Sequence, residues 1–274
     1  MERVPATAAL FFDVDGTIVW HRPGVSIADN IANGRPSDAV VSAFLRLHER
    51  GYQTFICTGR PLCTVSGDLL ALKPTGIVSS AGATVSIDGR IVHEDVIERG
   101  LLAKTVGTLL DAGATVMYEG SESCIVAAPE GERYNGFELL PTYADAETFL
   151  EKTEGMGFTK FCFEESSYER AHAVWSELEE RFVLSNLGLG MYEANVRGVD
   201  KGAGVRCAIE TLPYAPELTY GFGDSENDLA MLAAVDVPVA MGNAMPSVKE
   251  AAAYVTDSVE DDGVATALAH FGLI

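Results

Sequence analysis

The 274-residue chain is poor in positive charge: 19 Lys and Arg stand against 40 Asp and Glu, a formal net charge of −21. Only six of those bases are lysines. This balance argues against a nucleic-acid or anionic-membrane partner, because phosphate backbones and lipid headgroups are held by basic patches. It leaves room for a small phosphorylated ligand, which one or two local cations can hold. Cysteine is also sparse. The five (Cys57, Cys63, Cys124, Cys162 and Cys207) are odd in number and form no C-x-x-C pair. That excludes a disulfide framework or a structural zinc site and suits a reducing compartment. The five histidines lack metal-ligand spacing. Long apolar runs are missing, with none near the roughly 18 residues that span a bilayer. Met1 to Leu10 holds no basic region followed by an apolar stretch. A soluble, cytoplasmic protein is expected. The remaining composition, 47% hydrophobic and 22% charged, is globular, and the length suggests about two domains.

The order of elements carries the architecture. Ala8–Phe12 is an apolar run that stops at Asp13-Val14-Asp15-Gly16, a buried strand running into a polar loop. Residues 38–50 have helical periodicity, with Val40, Val41, Phe44, Leu45 and Leu47 on one face, Ser37 placed to cap the start and Gly51 to end it. Thr54–Cys57 and Ile77–Ser80 are further strands, and this alternation implies parallel pairing with helices on the faces. From Ala83 the texture changes. Asp88-Gly89 marks a tight hairpin, and strands at 115–118, 124–127 and 159–163 mix with helices at 98–111, 145–154 and 168–181. After Leu187-Gly188 the first pattern resumes, with a helix from Lys201 and strands at 218–222, 237–241 and 254–256. The fold class expected is α/β: a doubly wound, Rossmann-like parallel-sheet core (1–82 and 188–274) interrupted by an α+β insert (83–187).

In open α/β sheets, ligands bind beyond the carboxyl ends of the strands. Three such ends here finish in polar groups: Asp13 and Asp15, Thr58, and Asp224 with Asp228. Carboxylates converging at one edge repel unless a cation neutralises them, and hard oxygen ligands beside a phosphorylated substrate suggest Mg²⁺. Lys201, at the start of a helix, offers a second positive charge. Carboxylates, a metal, a lysine and a threonine hydroxyl are the parts phosphoryl transfer needs, since it depends on positioning and charge stabilisation.

Asp13-Val14-Asp15-Gly16-Thr17 resembles the D-x-D-G-T signature of the haloacid dehalogenase-like superfamily. Gly223-Asp224-Ser225-Glu226-Asn227-Asp228 is similar to that family's G-D-x-x-N-D motif, and Thr58-Gly59-Arg60-Pro61 to the T-G-R-P segment of its Cof-type phosphatases. Val199-Asp200-Lys201-Gly202 matches the place of the family lysine, and Met241-Gly242-Asn243-Ala244 onward follows the Cof-type tail. The resemblance implies that Asp13 is a nucleophile forming an aspartyl-phosphate. It implies that Asp15 is the general acid and base, its backbone carbonyl on the metal. Metal contacts would come from Asp13, Asp15, Asp224 and, through water or by supporting those ligands, Asp228. Thr58, Gly59, Arg60, Lys201 and Asn227 would bind phosphate or orient what does. Only about forty residues separate Asp15 from Thr58, too few for a helical cap, whereas the insert fills the longer Thr58-to-Lys201 interval, as in Cof-type enzymes. Asp15 argues against a dehalogenase, which lacks that second carboxylate.

The expected function is a Mg²⁺-dependent phosphatase of small phosphorylated metabolites, sugar phosphates first. A phosphotransferase passing the group to a sugar hydroxyl, and a non-catalytic metabolite sensor on the same fold, are the alternatives. Two departures from the family stand out. The 19–36 loop is longer than usual and carries Trp20, His21 and Arg22, which either touch substrate or form a solvated loop. Ala81, in Ser80-Ala81-Gly82-Ala83, stands where the family commonly has Asn. Several residues keep a second, structural reading. Thr58 can bond backbone, Arg60 can pair with an acid, and Asn227 and Asp228 can cap a helix. Cys57 reads as a small buried apolar residue. Tyr118, Glu119 and Glu164 end strands of the insert that are candidates to face the core. The insert holds 20 acids against 8 bases, a net of −12, which favours a polyhydroxylated or cationic leaving group over one with further negative charge.

Overall fold

A computed structural model of the chain describes residues 6–21, 24–25, 33–188 and 190–274. The chain forms two compact units, one from Met1–Arg60, Thr64–His93 and Asp200–Ile274, the other from Pro61–Cys63 and Glu94–Val199. The mixed α/β architecture and the parallel core are those the sequence pattern implies.

The first unit holds an eight-stranded sheet. Its strands are β1 (Ala8–Phe12), β2 (Gln53–Cys57), β3 (Gly76–Ser79), β4 (Thr84–Ile87), β5 (Arg90–Glu94), β12 (Leu218–Gly223), β13 (Val237–Ala240) and β14 (Tyr254–Val255). Their order is β14-β13-β12-β1-β2-β3-β4-β5. β1 lies between β12 and β2, parallel to both, and is buried along its whole length. This is why Ala-Ala-Leu-Phe-Phe is continuous rather than alternating: both faces of a parallel strand are covered. Phe11 stacks on Phe55 at 4.7 Å and Phe12 on Phe222 at 4.6 Å, so adjacent strands lock through their aromatic rings.

The helix Asp38–Glu49 is capped by Ser37, whose hydroxyl accepts from the Val40 amide. Val40, Ala43, Phe44 and Leu47 form its buried face. Val41 and Leu45, expected on that face, are exposed, because the apolar stripe is wider than the part the sheet covers. The hairpin β4–β5, expected with the insert, extends the core sheet: β4 pairs antiparallel with β3. Asp88 and Gly89 both take positive φ, the geometry of its tight turn. Helices Gly67–Leu70, Lys201–Thr211, Leu229–Leu232, Pro246–Ala251 and Gly263–His270 complete the unit.

The second unit has a six-stranded sheet in the order β10-β11-β9-β6-β7-β8. These strands are β6 (Val116–Glu119), β7 (Cys124–Ala127), β8 (Thr142–Tyr143), β9 (Lys160–Glu164), β10 (Phe182–Gly188) and β11 (Met191–Val196). Helices Arg99–Asp111, Ala146–Lys152 and Glu165–Ala173 accompany it. Strand residues Tyr118, Phe161, Phe163 and Phe182, with Phe149 of the Ala146–Lys152 helix and Phe158 of a loop, make its aromatic core. β11 was expected to belong to the returning core. It pairs antiparallel with β9 and β10 instead, so the core resumes at Asp200 rather than near residue 188. The helix expected at 168–181 runs over Glu165–Ala173, with a short turn at Trp175–Glu177 before β10 begins. Lys160 of β9 is buried and lies 2.9 Å from Glu119 of β6, with Glu193 of β11 hydrogen-bonded on its other side. No helix among the described residues is long and apolar enough to cross a membrane.

Candidate active site

The carboxyl ends of β1, β2 and β12 bring the predicted residues of the first unit together. Asp13 follows β1 directly and is buried, its amide donating to the Phe222 carbonyl at 2.9 Å. Lys201, the first residue of its helix, is fully buried; its ammonium donates to Asp13 Oδ1 and to Asp228 Oδ1, each at 2.6 Å. The other oxygen of Asp228 accepts from the amides of Asp224 and Ser225 at 3.0 and 3.1 Å. Asp228 therefore closes a capping box with Ser225 and anchors Lys201 at once, so both readings of that residue hold.

Carboxylate oxygens of Asp13, Asp224 and Asp228 lie within 4.8 Å of one another. Burial, and then the charge of Asp228, hold Asp13 well above the usual carboxylate range, against the opposing pull of Lys201. The same two causes push Asp224 up to about 7. Oδ1 of Asp224 is buried and has no hydrogen-bond partner among the described residues. A buried oxygen with no donor, within a cluster whose charges repel, is an arrangement that a hard divalent cation satisfies, and the all-carboxylate donor set suits Mg²⁺ chemistry. Gly16 is required beside it: at φ +94°, a Cβ there would lie 2.4 Å from Asp224 Oδ2.

Asp15 is placed differently from its neighbours. Its carboxylate is turned to Arg60, which donates through Nε at 3.0 Å and through a terminal nitrogen, and to His21 Nε2 at 2.6 Å. Burial alone would raise Asp15, but the hydrogen bonds from His21 and Arg60 and the guanidinium charge outweigh it and hold the group well below its usual range. The side chain of Asp15 thus stands outside the acidic cluster of Asp13, Asp224 and Asp228. Arg60 is buried and pairs with an acid, the structural one of its two readings.

Thr58 is fully buried, and its hydroxyl accepts from the Arg60 amide at 3.1 Å, again the structural reading. Gly59 lies half-buried between them. Asn227 is exposed and its Oδ1 accepts from the Ser225 hydroxyl at 2.8 Å; the group that holds Lys201 is Asp228. His21 reaches Asp15, Trp20 is exposed, and Arg22 lies outside the described residues. Asn243 had no assigned role. It donates to the Gly16 carbonyl at 2.9 Å and accepts from the Val259 amide at 2.8 Å, tying the Asp13–Gly16 loop to the tail. Its only sequence signal was its place in the Met241–Ala244 tail motif. Ala81 takes φ 54° and ψ 31°. Asn tolerates that left-handed conformation better than Ala, so backbone geometry accounts for a family Asn there without any substrate contact.

A mostly parallel sheet with paired acids after the first strand, a buried lysine and a second acidic loop defines the class: a doubly wound α/β enzyme core with an acidic cluster at its strand ends. The model of the haloacid dehalogenase-like hydrolases matches residues 10–268, and the chain belongs to that family. YkrA of Bacillus subtilis (strain 168), described as a candidate phosphatase, is 28% identical over 97% of this chain and 98% of its own. The 5-amino-6-(5-phospho-D-ribitylamino)uracil phosphatase YcsE of the same organism is 35% identical, over 46% of this chain and 51% of its own. Two solved structures share the fold. A HAD subclass IIB sugar phosphatase, BT4131, superposes with TM-score 0.74 at 24% identity over 97% of this chain and 99% of its own. A hypothetical protein of Geobacillus kaustophilus HTA426 reaches TM-score 0.80 at 23% identity, again over 97% and 99%.

Proposed function

We propose that this hydrolase is a Mg²⁺-dependent phosphatase that cleaves phosphomonoesters of small metabolites, sugar phosphates above all, through an aspartyl-phosphate. The observation that carries the reading is the division of labour between two carboxylates two residues apart. Asp13 sits in the cluster with Lys201 and the unpartnered Asp224 oxygen, while Asp15 is held apart by Arg60 and His21. That separation supports a reading in which Asp13 attacks and Asp15 moves protons.

On this reading Asp13 Oδ attacks phosphorus and the bond to the leaving oxygen breaks, giving the acyl phosphate and an alcohol. Lys201 holds the phosphoryl oxygens while remaining anchored by Asp228, and the backbone around Thr58 and Gly59 lines the same edge. Mg²⁺, held by Asp13, Asp224 and the Asp15 carbonyl with Asp228 supporting, would supply charge neutralisation for the incoming phosphate. Asp15 stands ionised here, the form that activates water in the second step. Its first-step role as acid requires Arg60 to leave its carboxylate, and a phosphoryl group competing for the guanidinium provides the reason to leave.

The substrate class rests on two supports. The second unit carries 20 acids against 8 bases, which disfavours leaving groups with further negative charge. Two relatives are named for sugar or ribityl phosphates, both with polyhydroxylated leaving groups. In this reading the first unit is catalytic and the inserted one sets substrate specificity. The five free cysteines suit a reducing compartment such as the cytoplasm.

The test is phosphate release from an aryl phosphate and from a panel of phosphorylated sugars, with Mg²⁺ and with chelator. Asp13→Asn should lose at least about a thousandfold in turnover while keeping its far-UV spectrum. Substantial residual turnover in that variant would refute the covalent route.

A further inference from the structure

Outside the acidic cluster, the second unit contains two thiols in contact. Cys63, in the short turn Leu62–Thr64, and Cys124, the first residue of β7, place their sulfurs 3.7 Å apart. Both belong to the same compact unit, which takes in Pro61–Cys63 together with Glu94–Val199. Their environments differ. Cys63 is exposed, whereas Cys124 is buried opposite Glu119 in the sheet. The Cys63 thiol donates to the Gly120 carbonyl at 3.3 Å, leaving its sulfur free to accept from Cys124. That bond from Cys124 lowers the Cys63 thiol, while the same contact and burial push Cys124 up. The remaining core thiols, Cys57 and Cys162, are buried and raised by burial.

From this geometry we infer that Cys63 and Cys124 form an oxidant-responsive modification site, in which Cys63 is the thiol attacked and Cys124 resolves it into a disulfide. With a peroxide as oxidant, the Cys63 thiolate takes one oxygen, becoming the sulfenic acid and releasing water once a proton is supplied. The Cys124 sulfur then attacks the sulfenic sulfur, and the hydroxyl leaves as a second water with the Cys124 proton. Two thiols and one peroxide give one disulfide and two waters. The sulfurs must close from 3.7 Å to about 2.05 Å. Cys63 is the partner able to move, since its three-residue turn buries no side chain and β7 is buried throughout.

The position of the mobile partner connects the site to the chemistry. Cys63 follows Arg60 by three residues, and Arg60 holds Asp15. Drawing the turn toward β7 pulls directly on the segment that positions that guanidinium, so the oxidised form should turn over more slowly. This consequence rests on the proposed phosphatase reading; the cross-link itself does not.

The experiment treats the reduced full chain with stepwise hydrogen peroxide, blocks residual thiols by alkylation and maps peptides without reduction. A Cys63–Cys124 linked pair is expected ahead of any modification of Cys57, Cys162 or Cys207. In Cys124→Ser the reaction should stop at a Cys63 sulfenic acid that dimedone traps. Turnover of an aryl phosphate should fall several-fold on oxidation and return with dithiothreitol. Cys63→Ser should keep wild-type turnover and lose the sensitivity. A different cysteine pairing, or both thiols still alkylated while others oxidise, would overturn the site. A cross-linked protein that turns over like the reduced one would overturn its link to Arg60. A chain with no phosphatase activity still gives the peptide map, so the two readings fail separately.

Discussion

Lys201→Met removes one charge and nearly conserves the buried stem, so it isolates the electrostatic contribution of the ammonium. Lys201 is 1% exposed and bridges Asp13 and Asp228 at 2.6 Å each. Taking one partner from a buried ion pair costs about 3–5 kcal/mol. Here two carboxylates lose their common counter-charge with Asp224 adjacent, which places the cost at the upper end of that range. At about 2–4 °C per kcal/mol for a chain of this size, the melting temperature in chelator at pH 8 should fall by on the order of 10 °C or more. The pH dependence identifies the cause. Asp13 already has a folded-state pKa raised above its unfolded value, and without Lys201 it rises further. A carboxylate raised on folding binds more protons in the folded state, so stability falls as pH climbs above the unfolded value near 4. The gap between variant and wild type should therefore be smaller at pH 5 than at pH 8, and Mg²⁺ should narrow it at pH 8. Thermal melts at both pH values, with chelator and with Mg²⁺, give the answer. Equal stability at pH 8, or a loss that does not change with pH, would show that the cluster is not held by Lys201 as described.

Other perturbations bear on separate parts of the fold. Without metal, Asp224 stays protonated up to about pH 7, so it lowers stability as pH rises from about 4 through 7, on the order of 4 kcal/mol in full. The Mg²⁺-induced rise in melting temperature should accordingly be larger at pH 8 than at pH 5.5, and Asp224→Asn should remove most of it in a fluorimetric melt. Lys160→Met leaves Glu119 and Glu193 buried without their shared cation and should cost about 3–5 kcal/mol by urea unfolding. Adding Glu119→Gln and Glu193→Gln should recover part of that loss. Ala81→Gly relieves a left-handed residue and should raise stability by about 1 kcal/mol; a loss instead would mean that the Ala81 methyl packs more strongly than its backbone is strained.

The local chemistry was legible because it is encoded locally. Asp13, Asp15 and Asp224 sit at strand ends that polarity marks, the Ser37 cap and the Asp88-Gly89 turn obey short-range rules, and the motif order led to the family. Lys201 was conspicuous because lysines are so few. Other features were not legible. That β4 and β5 extend the core sheet, and that β11 closes the inserted one, depends on which edges are free, and strand patterning does not record edges. That Arg60 and His21 turn the Asp15 side chain away from the other carboxylates depends on a contact 45 residues along the chain to Arg60 and on a return of the chain within six residues to His21, neither of which residue patterning records. The contacts of Lys160 with Glu119 and Glu193, and of Cys63 with Cys124, join residues far apart along the chain.

The sequence by itself determined the class of fold, the family and the set of chemical groups at the strand ends, because hydrophobic period and turn chemistry act over a few residues. Only the tertiary structure decided which carboxylate carries which charge. Ionisation of Asp13, Asp15 and Asp224 is governed by burial and by partners that long-range packing delivers. The scarcity of positive charge takes its meaning from the same packing. Two of the few bases, Lys201 and Arg60, are buried against the aspartates of the site, where a single cation interacts far more strongly than it would at the solvated surface.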